Sequence, residues 1–532
     1  MVDRWTLGAG GGFGILLRGL SAMGLAATLA APAVAQGTPA MGQGAQAAAA
    51  PLTERVIALA PALDAYVTQG MAAFDVPGAA IGIVGPDGLV YAKGFGIRAK
   101  ADPRPVDTAT IFQVGSTTKS FLATTLAKAV DDRRITWDEA VIDLDPDFAL
   151  KDPWVTREFR VFDLIAQRSG LRPYVNDTLA VLGYSGDALV ASLRYAEPVS
   201  SFRSTFAYTN ITHLLAGRIL ARLYGEKSWD DLARRTLIEP LAMSSTSFTR
   251  DAIATAPNHA EGHRFTAGGS VQVPFDENFP YRLGPAGNIN SNLEDMGRWV
   301  RFQMADGELD GKRLVSTQNL SITRWPRVAI NDTLSYAMGW VITSSADGRV
   351  VWHNGGTAGF GAHIGFMPGK GFGVVVLSNE GNRGFPDAVA QWIYLRLIGA
   401  DAGDPVAAAL AQAKAAEATA DARFKPPADA RPAGDLAALA GTFANPAMGM
   451  ATVTADGTRL TMTLQQTGAQ LALSPFDGVV FSVKALPVGP LAGLDALTDE
   501  TVGFAQFEAD ADGHLSTLVL DQDGQRFAFA KH

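Results

Sequence analysis

The 532-residue chain contains no cysteine. That excludes a disulfide framework, a thiolate metal site, a lipid-modified cysteine and a thiol nucleophile, so the cores must hold the protein together unaided. Charge is also sparse. Charged residues make up 18% of the chain against 47% hydrophobic ones, and a net charge of −9 comes with no lysine- or arginine-rich run. A nucleic-acid partner recognised through a basic footprint is therefore not expected. Histidine is scarce, at seven. Apart from His353 these are His213, His259, His263, His363, His514 and His532, and they form no metal-ligand spacing. Even His259-x-x-x-His263 would need a helix and a third ligand. Neither a metal nor a cofactor is expected. There is no internal repeat, and Gly359-Phe360-Gly361 lacks the context of a dinucleotide loop.

What is present begins at the N-terminus. Arg18 precedes an apolar, small-residue stretch from Leu20 to Ala30, and Ala33-Val34-Ala35 has the small-x-small pattern of a signal-peptidase site. Residues 1–35 read as a signal peptide cleaved after Ala35, which sends the mature protein to a periplasm. No later segment reads as a transmembrane helix, so no stable membrane insertion is expected after cleavage. Residues 36–51, rich in glycine, alanine and glutamine, read as a flexible leader.

From residue 52 the patterning becomes structural. A helical pattern runs through Leu63 and Val67, and Ala80 to Tyr91 reads as a hairpin turning at Pro86-Asp87-Gly88. The region from Ser116 to about Met304 reads as mainly helical. Strands return at Val351–His353, Ala362–Met367 and Val374–Leu377, followed by a helix over Pro386–Leu397. Strands at both ends of a helical middle predict an α/β fold: one antiparallel sheet flanked by helices, over residues 52–400. Residues 401–432, alanine- and proline-rich with room for a helix, read as a linker. Over residues 433–532 the hydrophobic period becomes two, with Asp-Gly turns at 456–457, 477–478, 512–513 and 523–524. That predicts an antiparallel all-β domain, a small barrel or sandwich.

The chemistry centres on Ser116-Thr117-Thr118-Lys119, just after Gly115. Residues three apart on a helix share a face, so Lys119 would sit beside Ser116. A serine hydroxyl needs such a base to become a nucleophile. Tyr208-Thr209-Asn210 precedes a helix with the stripe Ile211, Leu215, Ile219 and Leu223, and Asn210 is placed as its N-cap. A phenol near a lysine ammonium is expected to have its pKa lowered, so that Tyr208 can pass a proton. His353-Asn354-Gly355-Gly356 lies on a strand whose glycines would let a substrate backbone approach.

These three segments, in this order and at these positions, resemble the motifs of the serine β-lactamase/penicillin-binding superfamily, in the branch of class C β-lactamase-like esterases and D-aminopeptidases. Further matches are Leu164 to Leu171, Pro285-Ala286-Gly287 through Asp295-Met296, Tyr336 to Trp340, and Gly356 to Phe360. Gln167 stands where a histidine is frequent, a difference read as neutral. The resemblance implies an acyl-serine mechanism with Ser116, Lys119, Tyr208 and His353 as catalytic residues. It also implies an oxyanion hole from the N–H groups of Ser116 and Gly356, and substrate contacts from Asn210, Asn354 and Gly355.

His353 stands where β-lactamases carry lysine. Histidine is mostly neutral at pH 7, so anchoring of a substrate carboxylate is weaker. That favours a peptidase or amidase for short peptides, D-residue-containing or linearised cyclic ones included, with carboxylesterase as the alternative. A β-lactamase and a non-catalytic sensor of peptidoglycan fragments are lesser alternatives. The C-terminal domain resembles the lipocalin-like domain of some members, which can cap the cleft. The expected partner is a small molecule or short peptide, and the sequence gives no oligomeric state.

Overall fold

The computed structural model describes residues 50–522 and 524–532. The expected signal peptide, and the leader up to residue 49, lie outside the described residues. The described chain divides into two compact units between Ala411 and Gln412.

The larger unit opens with helix α1 (Leu52–Phe74), which stops where Asp75 takes a left-handed conformation. Among the described residues α1 alone has the length and apolar composition of a membrane span. Leu63, Val67 and Phe74 are nevertheless fully buried, and Tyr66 stacks on Trp392 at 4.6 Å. The helix is thus an outer layer of this unit's core. The expected hairpin follows as β1 (Gly78–Gly85) and β2 (Gly88–Gly96). Helix α2 (Thr118–Asp131) and helix α3 (Ile211–Tyr224) form the helical region, and α4 (Leu293–Met304) packs on the sheet.

Six further strands complete the sheet: β3 (Val328–Ala329), β4 (Leu334–Tyr336), β5 (Val341–Ser345), β6 (Gly348–Gly356), β7 (Gly361–Met367) and β8 (Phe372–Ser378). Their order is β2-β1-β8-β7-β6-β5-β4-β3, all antiparallel, so the hairpin from the start of the chain adds to the edge of β8. β1, β7 and β8 are buried along their whole length because helices cover both faces. That is why they read as continuous apolar runs. The short strands β3, β4 and β5 carry too little periodicity to be read from sequence. Helix α5 (Phe385–Leu397) closes the unit, and α6 (Pro405–Arg423) occupies the alanine-rich stretch.

The smaller unit is a closed barrel of eight antiparallel strands, from Gly441–Asn445 to Gln525–Lys531, the last pairing with the first. Alternate side chains fill its interior: Leu460, Met462 and Leu464 on one strand, Phe527 and Phe529 on another. Closure removes the open edges that a sandwich would leave.

Candidate active site

The nucleophile's turn is built where β6 leaves the sheet. β5 pairs with β6 only as far as Trp352, whereas β7 pairs with it to Gly356. The edge of β6 from His353 to Gly356 is therefore free of a strand partner, and the Gly115 turn lies against it. Gly115 has φ +51°, and a Cβ there would fall 2.8 Å from Gly356 N. Only glycine combines that conformation with that approach. The 3₁₀ turn Gly115–Thr117 then leads into α2.

Helix α2 is an unusually deep anchor. Phe121, Leu122 and Ala123 are fully buried, Trp299 of α4 stacks on Phe121 at 3.7 Å, and Trp299 Nε1 donates to Ser120 Oγ at 3.0 Å. One turn in from the nucleophile, Lys119 is fully buried. Its Nζ donates to Ser116 Oγ at 3.0 Å and to the carbonyl of Ala286 at 2.6 Å. Burial holds the Lys119 pKa well below the usual lysine value, with the charge of Asp177 pulling the other way. Burial thus works against the ammonium and favours the free amine, whose lone pair can accept the serine proton.

Tyr208 sits over this pair, with Lys119 Nζ 4.7 Å from its ring centroid. The structure corrects the expected titration of the phenol. Burial raises the Tyr208 pKa well above its ordinary value, with Tyr336 and Tyr174 adding to the rise. The nearby Ser116 hydroxyl pulls in the opposite direction, although the two groups do not reach good hydrogen-bond geometry. Burial works against both charged forms, the Lys119 ammonium and the Tyr208 phenolate. Tyr208 is thus a neutral phenol, suited to give a proton to a leaving group and take one back. Tyr208→Phe should lower kcat by about 10²–10⁴. Its unfolding free energy should stay within about 1 kcal/mol, since the hydroxyl removed has no partner. Steady-state kinetics and a denaturant melt read the two effects separately.

Three other expectations are corrected. Asn210 occupies the N-cap position of α3 but makes no capping bond. Its side chain turns instead to Asp177, donating to Oδ2 at 2.5 Å. In the third motif the pleat sends successive side chains to opposite faces. Asn354 accordingly points away from the nucleophile and donates to Asp387 of α5 at 2.8 Å; the other oxygen of Asp387 bonds His363 at 2.7 Å. Its amide is thus engaged by α5, on the face opposite the neighbouring His353 and Gly355. Gly355, too, has another use: a Cβ there would fall 2.0 Å from the carbonyl of Val114. Its bareness admits the nucleophile's own segment.

Gly356 ends β6 beside the Gly115 turn. Thr357 N–H donates to Phe360 O at 3.0 Å, and Gly356 lies opposite Gly361. N–H directions alternate along an antiparallel ladder, so that of Gly356 points away from β7, towards the Gly115 turn. Ser116 begins the helical segment, where the first N–H groups have no carbonyl to bond within the helix. The two donors thus lie on adjoining backbone, one on Ser116 itself and one on Gly356 beside the Gly115 turn, and an oxyanion requires a pair of this kind.

His353 is fully buried, and both ring nitrogens are engaged: Nδ1 with Asn354 O at 2.6 Å, Nε2 with the Tyr336 hydroxyl at 3.1 Å. Burial and the nearby Lys119 depress its pKa to about 3. It is neutral at physiological pH, with each ring nitrogen held by a neighbouring group.

The structural parts of three residues are visible only in the fold. Gln167, taken as neutral, has φ +57°, accepts from Thr209 N–H at 2.6 Å and from its hydroxyl at 3.0 Å, and so fixes the second motif. Tyr336 orients His353. Asp177 is 1% exposed and faces Asn210. None carries a local signal, because each acts on a residue distant in sequence.

As for metals, Asp510, Asp512 and His514 of the barrel bring ligand atoms within 4.8 Å of one another. All three are exposed, and Asp510 Oδ1 already accepts the backbone N–H groups of Asp512 and His514. The trio is a turn, with nothing that points to an ion.

The chain matches the family Beta-lactamase over residues 63–400 and Domain of unknown function (DUF3471) over 425–531. It is 29% identical over 337 residues to unguisins hydrolase ungD' of Aspergillus campestris, covering 59% of this chain and 60% of that protein. Penicillin-binding protein 4 of Amycolatopsis lactamdurans is 28% identical over 378 residues, covering 69% and 93%. The chain thus spans about 60% of the length of the fungal relative and nearly all of the bacterial one. Among solved structures, an octameric penicillin-binding protein homologue from Pyrococcus abyssi aligns with a TM-score of 0.59 at 20% identity, over 89% of this chain and 100% of that one. At that identity the likeness is one of fold. With the ordered motifs, the sheet and the Ser116–Lys119 contact in place, the chain belongs to the β-lactamase family of serine hydrolases.

Proposed function

We propose that this protein hydrolyses short peptides through an acyl-serine intermediate, in a periplasm reached by way of the segment ending at Ala35. The observation that carries the reading is the 3.0 Å contact between Ser116 Oγ and a fully buried Lys119. Lys119 takes the Ser116 proton as Oγ bonds the substrate carbonyl carbon. The carbonyl electron pair moves onto oxygen, which rests on the N–H groups of Ser116 and Gly356. Collapse of this intermediate breaks the bond to the leaving group, and Tyr208 supplies that group's proton. Water then attacks the acyl carbon and gives its proton to Tyr208; the bond to Ser116 Oγ breaks, releasing the acid, and Lys119 returns its proton to Oγ.

The neutral His353 supports a substrate without a fixed carboxylate at this position, and hence a peptide or amide over a penicillin. The names of the relatives, a hydrolase and a penicillin-binding protein, are both compatible with acyl transfer. Carboxylesterase is the second reading, because a neutral ester suits the same neutral wall. A panel of L- and D-alanyl p-nitroanilides, short peptides, p-nitrophenyl acetate and nitrocefin tests the choice. Peptide and anilide turnover should exceed nitrocefin turnover by orders of magnitude. Turnover confined to p-nitrophenyl acetate would establish the esterase reading, and none on any substrate the sensor. Cell fractionation tests the location.

A further inference from the structure

Behind the Ser116–Lys119 pair lies a carboxyl group that the acylation steps above do not use. Asp177 begins the short helix Asp177–Val181 and is 1% exposed. Its loop is tied to the second motif at two points. The N–H of Tyr174 donates to Tyr208 O at 2.6 Å, and Asn210 Nδ2 donates to Asp177 Oδ2 at 2.5 Å. The other oxygen, Oδ1, is buried without a hydrogen-bond partner, as is Asn210 Oδ1. An acid buried this completely, beside a lysine that must become an ammonium for a moment, is costly unless its charge has a use.

We propose that Asp177 is a positioning residue for acylation: it orients the Asn210 amide, and its carboxylate offsets the ammonium that Lys119 becomes on taking the Ser116 proton. The inference rests on the acyl-serine reading and deepens it. When the proton leaves Ser116 Oγ for Lys119 Nζ, one positive charge appears in a site from which water is excluded. Without a counter-charge that step is strongly uphill. A serine protease meets the same problem with an aspartate behind its histidine, stabilising the imidazolium without accepting the proton. Here Asp177 would act on Lys119 at a distance, since no direct bond links the two.

The groups around the pair are known. Lys119 and Asp177 act on each other, and Asp177 also acts on Tyr174 and Tyr208. His213, from α3, and His353, from β6, both face Lys119, and burial keeps both neutral. Tyr336 packs edge-on against Tyr208. Asp177 is thus the acidic group that senses Lys119. Burial raises its pKa to about 7, opposed by the Asn210 hydrogen bond and by Lys119.

The sign of the expected shift follows. An ionised Asp177 raises the Lys119 pKa, and the acid limb of kcat/KM reports protonation of the free enzyme's base. Asp177→Asn keeps an oxygen for Asn210 but removes the charge. Its acid limb should move down by about one pH unit, and its plateau should fall roughly 10²-fold, because the ammonium formed in the transition state loses its counter-charge. Asn210→Ala leaves the carboxyl but removes the N–H that favours ionisation, so its limb should move the same way by less. That second variant keeps the test decisive if the first does not fold. Plateau losses with neither limb moving would mean a purely structural role and overturn the proposal. Labelling of wild-type Ser116 by a fluorophosphonate, run alongside, separates the two levels. With labelling intact and both limbs fixed, the Asp177 inference alone fails; with no labelling, the acyl-serine reading fails and takes the inference with it.

Discussion

Ser116→Ala abolishes covalent labelling by a fluorophosphonate and lowers kcat/KM on the best substrate by about 10⁴-fold or more, while the protein stays folded. Loss of a nucleophile that works as a unit with its base costs about as much as loss of the whole unit, so Lys119 and Tyr208 should not rescue the variant. Folding should be little affected. The Ser116 hydroxyl contributes one bond with Lys119 Nζ, and that nitrogen keeps its second bond to Ala286 O. The core of α2 rests on Phe121, Leu122 and the Trp299 stack, all beyond the nucleophile. Intact-mass spectrometry after fluorophosphonate treatment and a thermal melt measure both halves. A labelled alanine variant would mean that another residue is the nucleophile, and the acyl-serine reading of this site would fall.

The second large effect is expected at a residue with no functional group. Gly355→Ala should reduce kcat about 10²–10³-fold and destabilise the protein by about 1–3 kcal/mol. The alanine Cβ would lie 2.0 Å from Val114 O and 3.2 Å from Ser116 N. Both are backbone atoms, so no rotamer change relieves the clash. Either β6 or the nucleophile's turn must move, and both carry oxyanion donors, Gly356 on one and Ser116 on the other. Loss of one such donor accounts for the expected fall in kcat. An alanine variant within twofold of wild type in kcat, with an unchanged melting temperature, would show that the strand and the turn are not pressed together as described.

How much of the site could be read in advance follows from how each residue acts. Ser116 and Lys119 meet because they are one helical turn apart, a relation the chain carries locally. The start of α3 after Asn210 and the alternation of the barrel strands are local in the same sense. The large sheet was legible in part. β1, β7 and β8 are long apolar runs, whereas β3, β4 and β5 are short and owe their strand state to β6 alongside them.

Side-chain direction was the main loss. The sequence put Asn354 and Gly355 beside the substrate, but the pleat turns Asn354 towards α5 and the packing of Val114 explains the glycine. Asn210 stands at an N-cap position, yet Asp177, from a loop that carried no readable pattern, draws its amide away. The titration of Tyr208 was misjudged for a related reason. A lysine nearby lowers a phenol's pKa only while it is charged, and burial works against that charge as it does against the phenolate.

By itself, then, the chain determined which reactive groups exist, their order, and the helices and strands that carry them, because those depend on neighbours a few residues apart. Tertiary structure alone decided which way those groups face and in what protonation state they work. Both depend on burial and on partners brought from far along the chain: Asp177 to Asn210, Gln167 to Thr209, and Tyr336 to His353.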